Sequence, residues 1–361
     1  LFRRDYNSFN YVGNNRNTTY SEVSTGGTLR LGFPLSEYWN LGTRYQLSND
    51  NITLDKSTFY TTNPTTGQLQ CDPLKAGSYL CQEVGKKLTS LVGASTIYDD
   101  TDGIHPTRGQ QITFTQDFAG VGGDVHYLRT AGYATKYHSF GNWILSLHAE
   151  GGFIHSLDKA PDQFTDPVRI TDRFFNSNIR GFDIRGIGPR VVRIPYNADG
   201  TLQELDVNKN YNEAIGGKAF YLGRVEVEVP VSSAIRSYGL RPSIYLDAGS
   251  LWGIRQPQLI DIVSTCSPTD VTSTLPSFES STADCTKDLN GNPVANASAY
   301  TPTPGFKEEF LGNSPKPRIS VGVGVNWISP FGPLRLDLAK AIVFQKGDDP
   351  KLFTFNVGTQ F

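Results

Sequence analysis

The chain has 361 residues, with 33 Lys and Arg against 35 Asp and Glu, for a formal net charge of −2. That balance excludes the basic surplus of a nucleic-acid binder, and no run approaches the roughly 20 apolar residues of a membrane-spanning helix. Mean hydropathy is −0.34; averaged, this reads as soluble, but a membrane β-barrel gives the same average because every second strand residue faces water.

Strand-like stretches recur from end to end. A first strand is expected near 1–12. TLRLGF (28–33) puts Leu29, Leu31 and Phe33 on one face, and NLGTRYQLS (40–48) follows a short turn. SLVGASTIY (90–98) and QQITFTQDF (110–118) flank the turn DDTDGIHPTRG, and DVHYLRTAGYATKY (124–137) comes next. NWILSLHAEGGFI (142–154) sets Trp143, Leu145 and Leu147 against Ser146, His148 and Glu150. AFYLGRVEVEVPV (219–231) sets Val225, Val227 and Val229 against Arg224, Glu226 and Glu228. SIYLDAGSLW (243–252) and RISVGVGVNWIS (318–329) alternate likewise, and PLRLDLAKAIVF (333–344) sets Leu334, Leu336 and Leu338 against Arg335, Asp337 and, nearby, Lys340. The chain closes on KLFTFNVGTQF, with Phe353, Phe355, Val357 and Phe361 on one face and Thr354, Asn356, Gly358 and Gln360 on the other. A period of two sends successive side chains to opposite faces of a strand.

No amphipathic pattern of period 3.6 appears, and the count comes to about twelve strands. Short turns such as ISPFGP alternate with long polar loops near 49–88, 155–215 and 254–316. Tight turns on one rim, long loops on the other and aromatics at strand ends (Trp143, Trp252, Trp327) are the pattern of outer-membrane barrels. The fold class expected is all-β, a transmembrane antiparallel β-barrel. The chain begins at Leu1 and contains no Met, so a processed or truncated piece of a longer protein is expected.

Four cysteines form two near pairs, Cys71 with Cys81 and Cys266 with Cys285, all in polar loops. Two local disulfides in an oxidising compartment are expected; four free loop thiols are the alternative. The spacings lack the Cys-x-x-Cys or paired His of a zinc site. The five histidines are scattered, and no nucleophile-elbow or Walker sequence occurs. No metal, no cofactor and no catalytic residue is expected.

The segment 155–215 is too long for a mere connection. Its piece Ile179-Arg180-Gly181-Phe182 resembles the Val/Ile-Arg-Gly-Phe/Tyr motif in the sixth extracellular loop of the BamA family of outer-membrane assembly factors. In family order, LGFPLSEY (31–38) resembles a segment early in that barrel. DDTDGIHPTRG (99–109) resembles a superfamily turn, WISPFGPLRLDLAKAI (327–342) the penultimate hairpin, and FTFNVGTQF (353–361) the C-terminal strand.

The resemblance implies about twelve of the family's sixteen strands, with the chain entering near the fifth strand and the earlier strands and POTRA domains absent. It implies a location in the outer membrane of a Gram-negative bacterium and a non-enzymatic function. That function is folding and inserting unfolded β-barrel clients, with accessory lipoproteins and outer-membrane lipid as partners and no nucleic acid. It places the loop arginine against acids of the inner wall, here Arg180 against Glu226 and Asp247. Phe353, Phe355, Asn356, Val357, Gly358 and Phe361 would form the strand bordering a lateral seam. Related translocases of two-partner secretion or autotransporter assembly, or a passive porin-like channel, are the alternatives.

Overall fold

The computed structural model describes every residue except 13–14, 64–65, 104, 176–178, 208, 233–234, 236, 271–272, 274, 330–331 and 358–361, together with the side chains from 9 to 19. The expectations for Gly358 and Phe361 therefore fall outside the described residues.

In chain order, β1 (Phe2–Val12), β2 (Asn15–Pro34) and β3 (Trp39–Thr53) come first. Three single-turn helices follow, α1 (Lys56–Phe59), α2 (Pro73–Ala76) and α3 (Ser78–Cys81), with a small hairpin of β4 (Tyr60–Thr62) and β5 (Leu69–Cys71) among them. Next are β6 (Gly85–Asp99), β7 (Gly109–Gly123), β8 (Tyr127–Phe140) and β9 (Trp143–Ser156). Then come β10 (Arg190–Pro195), β11 (Tyr211–Ala214), β12 (Ala219–Glu228) and β13 (Leu240–Trp252). The chain continues through β14 (Asp261–Pro268), β15 (Phe278–Ser280), β16 (Tyr300–Leu311) and β17 (Arg318–Ser329). It ends with β18 (Gly332–Val343) and β19 (Phe353–Val357).

Twelve of these strands form one antiparallel sheet in the order β1-β2-β3-β6-β7-β8-β9-β12-β13-β17-β18-β19. Each neighbour is the next wall strand along the chain, the up-and-down meander that a barrel wall requires. Side chains of β8, β9, β12, β13, β17, β18 and β19 line one common cavity of about 1240 Å³, so the sheet curves around a hydrated lumen.

The alternation read from the sequence sorts the two faces. On β13, Ile244 and Leu246 point outward and exposed while Ser243, Tyr245 and Asp247 are buried inside; on β18, Leu336 and Leu338 are outward and Arg335 and Asp337 buried. Lys340 corrects its expected grouping with Arg335 and Asp337. It shares the parity of Leu336 and Leu338 and is exposed. It sits toward the end of β18 remote from the tight turn, where a long lysine stem can carry its charge to the water boundary.

The wall also climbs further than hydropathy indicated. β3 runs to Thr53, β6 starts at Gly85, and β2 begins at Asn15. These added stretches are largely polar, so the sequence period fades while the hydrogen-bonded pairing continues.

The three long loops are not separate excursions. Phe59, Tyr79 and Leu80 from the first, Ile170, Val191 and Ile215 from the second, and Ile254 from the third share one core with Tyr20 and Ile52 of the wall. A second sheet, ordered β11-β10-β16-β14-β15, is built from the second and third loops. The result is a dome over one rim. Both cysteine pairs are bonded within it, Cys71–Cys81 and Cys266–Cys285. Each closes a short loop, and a native disulfide of this kind stabilises by roughly 2–4 kcal/mol.

Candidate functional site: a loop arginine seated in the lumen

The second long loop is pinched at its neck, where Phe174 and Gly217 exchange two backbone hydrogen bonds of 2.9 Å. Beyond the neck its tip turns inward. Ile179 and Phe182 are buried with Ile187 of the same loop and Leu222 of β12, and this apolar seat orients the residue between them. Gly181 has φ +87°, and a Cβ there would stand 2.9 Å from the Ser320 Cβ. Both the turn and the close approach require glycine. Gly181→Ala is expected to lower unfolding stability by about 1–2 kcal/mol, as read by denaturant titration of the folded barrel. Unchanged stability would mean that the tip turns without glycine.

Arg180 reaches the inner faces of β12 and β13. Its Nε donates to Asp247 Oδ2 at 2.9 Å, its Nη2 to Asp247 Oδ1 at 2.6 Å, and its Nη1 to Glu226 Oε2 at 2.7 Å. The fork-on-carboxylate contact with Asp247 is the geometry that a guanidinium makes and an ammonium does not. The backbone N–H of Arg180 also donates to Asp247, at 3.1 Å, and its carbonyl accepts from the Ser320 hydroxyl. Below it the Tyr245 ring lies 3.3 Å from the guanidinium carbon, a cation–π contact. Tyr245 fits there because its strand neighbour is Gly322, where a Cβ would come within 2.6 Å of the tyrosine hydroxyl oxygen.

Further inward residues complete the cluster. Arg335 donates to Glu226 at 3.0 Å and to both oxygens of Asp337 at 3.0 and 2.9 Å. Arg224 donates to Asp247 at 3.2 Å, and Ser243 to Glu226 at 2.6 Å. Arg180, Arg224 and Arg335 thus meet Glu226, Asp247 and Asp337, and the buried charges balance. Burial alone would lower the pKa of Arg180, but the hydrogen bonds and charges of Asp247 and Glu226 outweigh it and hold the guanidinium firmly ionised. Charge-assisted hydrogen bonds tie the loop directly to β12 and β13, and Arg335 joins β18 to the same cluster.

Arg224, Ser243, Tyr245, Arg335 and Asp337 carry as much of this geometry as Glu226 and Asp247, and the sequence reading did not select them. Their signal was present, since all lie on the inward parity of their strands. The tip has further holds. Arg185 donates to Ser8 Oγ on β1 at 3.1 Å. The Asp183 N–H donates to the Asp349 carbonyl at 2.9 Å, and the Lys351 N–H to the Gly181 carbonyl at 3.0 Å. On β19, Phe353, Phe355 and Val357 face outward, 51%, 52% and 60% exposed. Asn356 has the opposite parity and pairs with Arg335. The disulfides lie in the dome, apart from this cluster in the fold.

Comparison with known proteins agrees with this architecture. A family model described as the Omp85 superfamily domain matches residues 1–361. The chain is 27% identical over 350 residues to an outer membrane protein assembly factor BamA of Neorickettsia risticii (strain Illinois), covering 96% of this chain and 35% of that protein. It is 22% identical over 260 residues to the BamA of Neisseria meningitidis serogroup B, covering 71% of this chain and 26% of that protein. The chain therefore spans about a third or less of the length of these relatives. Among solved structures, a BamA from Haemophilus ducreyi lacking POTRA domains 1–3 superposes with a TM-score of 0.57 at 17% identity, over 93% of this chain and 54% of that one. That likeness concerns the fold. With the family model matched from end to end over a curved wall of membrane-type strands, the chain belongs to the Omp85 superfamily and is an outer-membrane β-barrel domain.

Proposed function

We propose that this chain is the C-terminal barrel part of an assembly factor that folds β-barrel proteins and inserts them into the outer membrane of a Gram-negative bacterium. The observation that carries the reading is β19. It pairs with β18 along one edge and carries an outward apolar face, and its other edge is the side we assign to the seam of the full barrel. An open strand edge in lipid is costly, because no water is there to satisfy its N–H and C=O groups. A client strand that pairs with it removes that cost by β-augmentation. Similarity to the assembly factors named above supports the same role, with unfolded barrel clients, accessory lipoproteins and outer-membrane lipid as the partners. Chemistry by side chains is not part of this function, and the Arg180 cluster serves as structure. Bilayer thinning beside the seam would lower the insertion barrier further.

The test is a photo-crosslinking residue placed in the full-length protein at positions 353 to 357 and, as a control, at Val225 in the middle of the wall. A stalled client is expected to crosslink at β19 and not at Val225. Full assembly activity after a disulfide has locked the last strand to the first would overturn the seam.

A further inference from the structure

The approach to β19 is fastened to the same loop tip that carries Arg180. Residues 349–351, just before that strand, run against 181–186 as a short ladder. The Asp183 N–H donates to the Asp349 carbonyl at 2.9 Å, the Asp349 N–H to the Gly186 carbonyl at 2.8 Å, and the Lys351 N–H to the Gly181 carbonyl at 3.0 Å. Phe182 and Pro350 form the bridge between them. Lys351 Nζ lies 2.8 Å from Asp183 Oδ1. A Cβ on Gly186 would stand 2.7 Å from the Asp349 carbonyl oxygen, so the two backbones are in direct contact. On the far side, Asp348 pairs with Arg318 at 3.0 Å with both side chains fully enclosed, and the Leu352 carbonyl accepts from Ala339 N–H at 2.9 Å.

This has a mechanical meaning. Gly181 follows Arg180 directly, and Lys351 lies two residues before Phe353, the first residue of β19. These residues lead straight into β19, so whatever holds them bears on how readily the start of that strand frays. We infer that the arginine-bearing loop tip is a latch for the last strand, and that the Arg180 ion pairs and the position of β19 are energetically coupled through residues 181–186 and 349–351. The coupling is a property of the fold. It goes beyond the assembly reading and holds whether or not a client pairs with β19.

Coupling between two places is reciprocal, and each can be loosened while the other is read. Arg180→Ala removes the lumen anchor without touching 349–357. Lys351→Pro removes the N–H to Gly181 and the ammonium to Asp183 while keeping every partner of Arg180. Amide hydrogen exchange of the full-length protein in lipid nanodiscs reads both places. In the Arg180→Ala variant, peptides covering 353–357 are expected to exchange faster by on the order of tenfold. In the Lys351→Pro variant, peptides covering 179–187 are expected to lose protection to a similar degree. If each substitution loosens only its own surroundings, and the far peptide exchanges at the wild-type rate, the latch is refuted. Should Arg180→Ala not fold, the Lys351→Pro variant read at 179–187 decides the matter alone.

Discussion

Replacing Arg180 by Ala is expected to cost about 3–5 kcal/mol of folding stability, the range for removing one partner of a buried ion pair. The magnitude comes from what is left behind. Asp247 is fully enclosed and, among the described residues, would keep the 3.2 Å contact of Arg224 as its side-chain partner. Glu226 would keep Arg335 and Ser243. A carboxylate stranded in the interior is costly unless it is paired and hydrogen-bonded. Arg180→Lys is expected to recover only part of the loss, since one ammonium cannot reproduce the two-pronged contact with Asp247 and the separate bond to Glu226. Equilibrium urea unfolding in detergent micelles measures both. Asp247→Asn in the Arg180→Ala background should then cost far less than it does alone, because contacting residues are not additive. Additive losses, or a loss below about 1 kcal/mol for Arg180→Ala, would mean that the cluster contributes little to the fold.

The second large effect concerns the outer face. Val323 lies midway along β17, outward and 51% exposed. In water, such a position accepts arginine with a change within about 0.5 kcal/mol. In a bilayer, Val323→Arg is expected to cost about 2–4 kcal/mol, the range for arginine at the midplane of a barrel. Gln111→Arg supplies the contrast. Gln111 lines the lumen cavity and bonds Asp99 at 3.2 Å, so a cation there stays hydrated beside a carboxylate and little change is expected. Refolding yield into lipid vesicles under a urea series separates the two. Equal tolerance at both positions would contradict a lipid-facing exterior.

The wall was legible in the sequence because membrane and lumen impose opposite demands on alternate residues. Val321, Val323 and Leu338 could be assigned an outward face, and Ser320, Asp247 and Asp337 an inward one, by parity alone. Where that contrast ends, legibility ends. The upper half of β2, NRNTTYSEVS, is mostly polar and gave no signal, although it pairs with β1 throughout, with one register shift opposite Ser8 and Phe9. The dome was read as loops for a related reason. Strand β16 contains Pro302 and Pro304, which argue against a strand, and its partners β10 and β14 lie far from it along the chain. Pairing at such separations leaves no local period.

The site shows the same division. Arg180 stood out through its motif, and Glu226 and Asp247 through their parity. Arg335 did not, because nothing in its own strand tells which cell of the lumen it shares. That depends on the register Asn326 with Arg335 and Glu226 with Tyr245, fixed only when the strands align.

The dome has a consequence for how the sheet can deform. Its core is rooted at the tops of β3 and β6, β9 and β12, and β13 and β17, and the six paired residues of β10 and β16 tie two of these roots together. Widening the wall anywhere along that arc would tear an apolar core and a hydrogen-bonded ladder at once. Tyr20 of β2 lies in the same core and the Ser8 hydroxyl of β1 donates to Glu213 of β11 at 3.4 Å, so the dome holds that flank of the wall as well. The dome thus works as a clasp across one rim, stiffening the wall from beyond the ends of its strands.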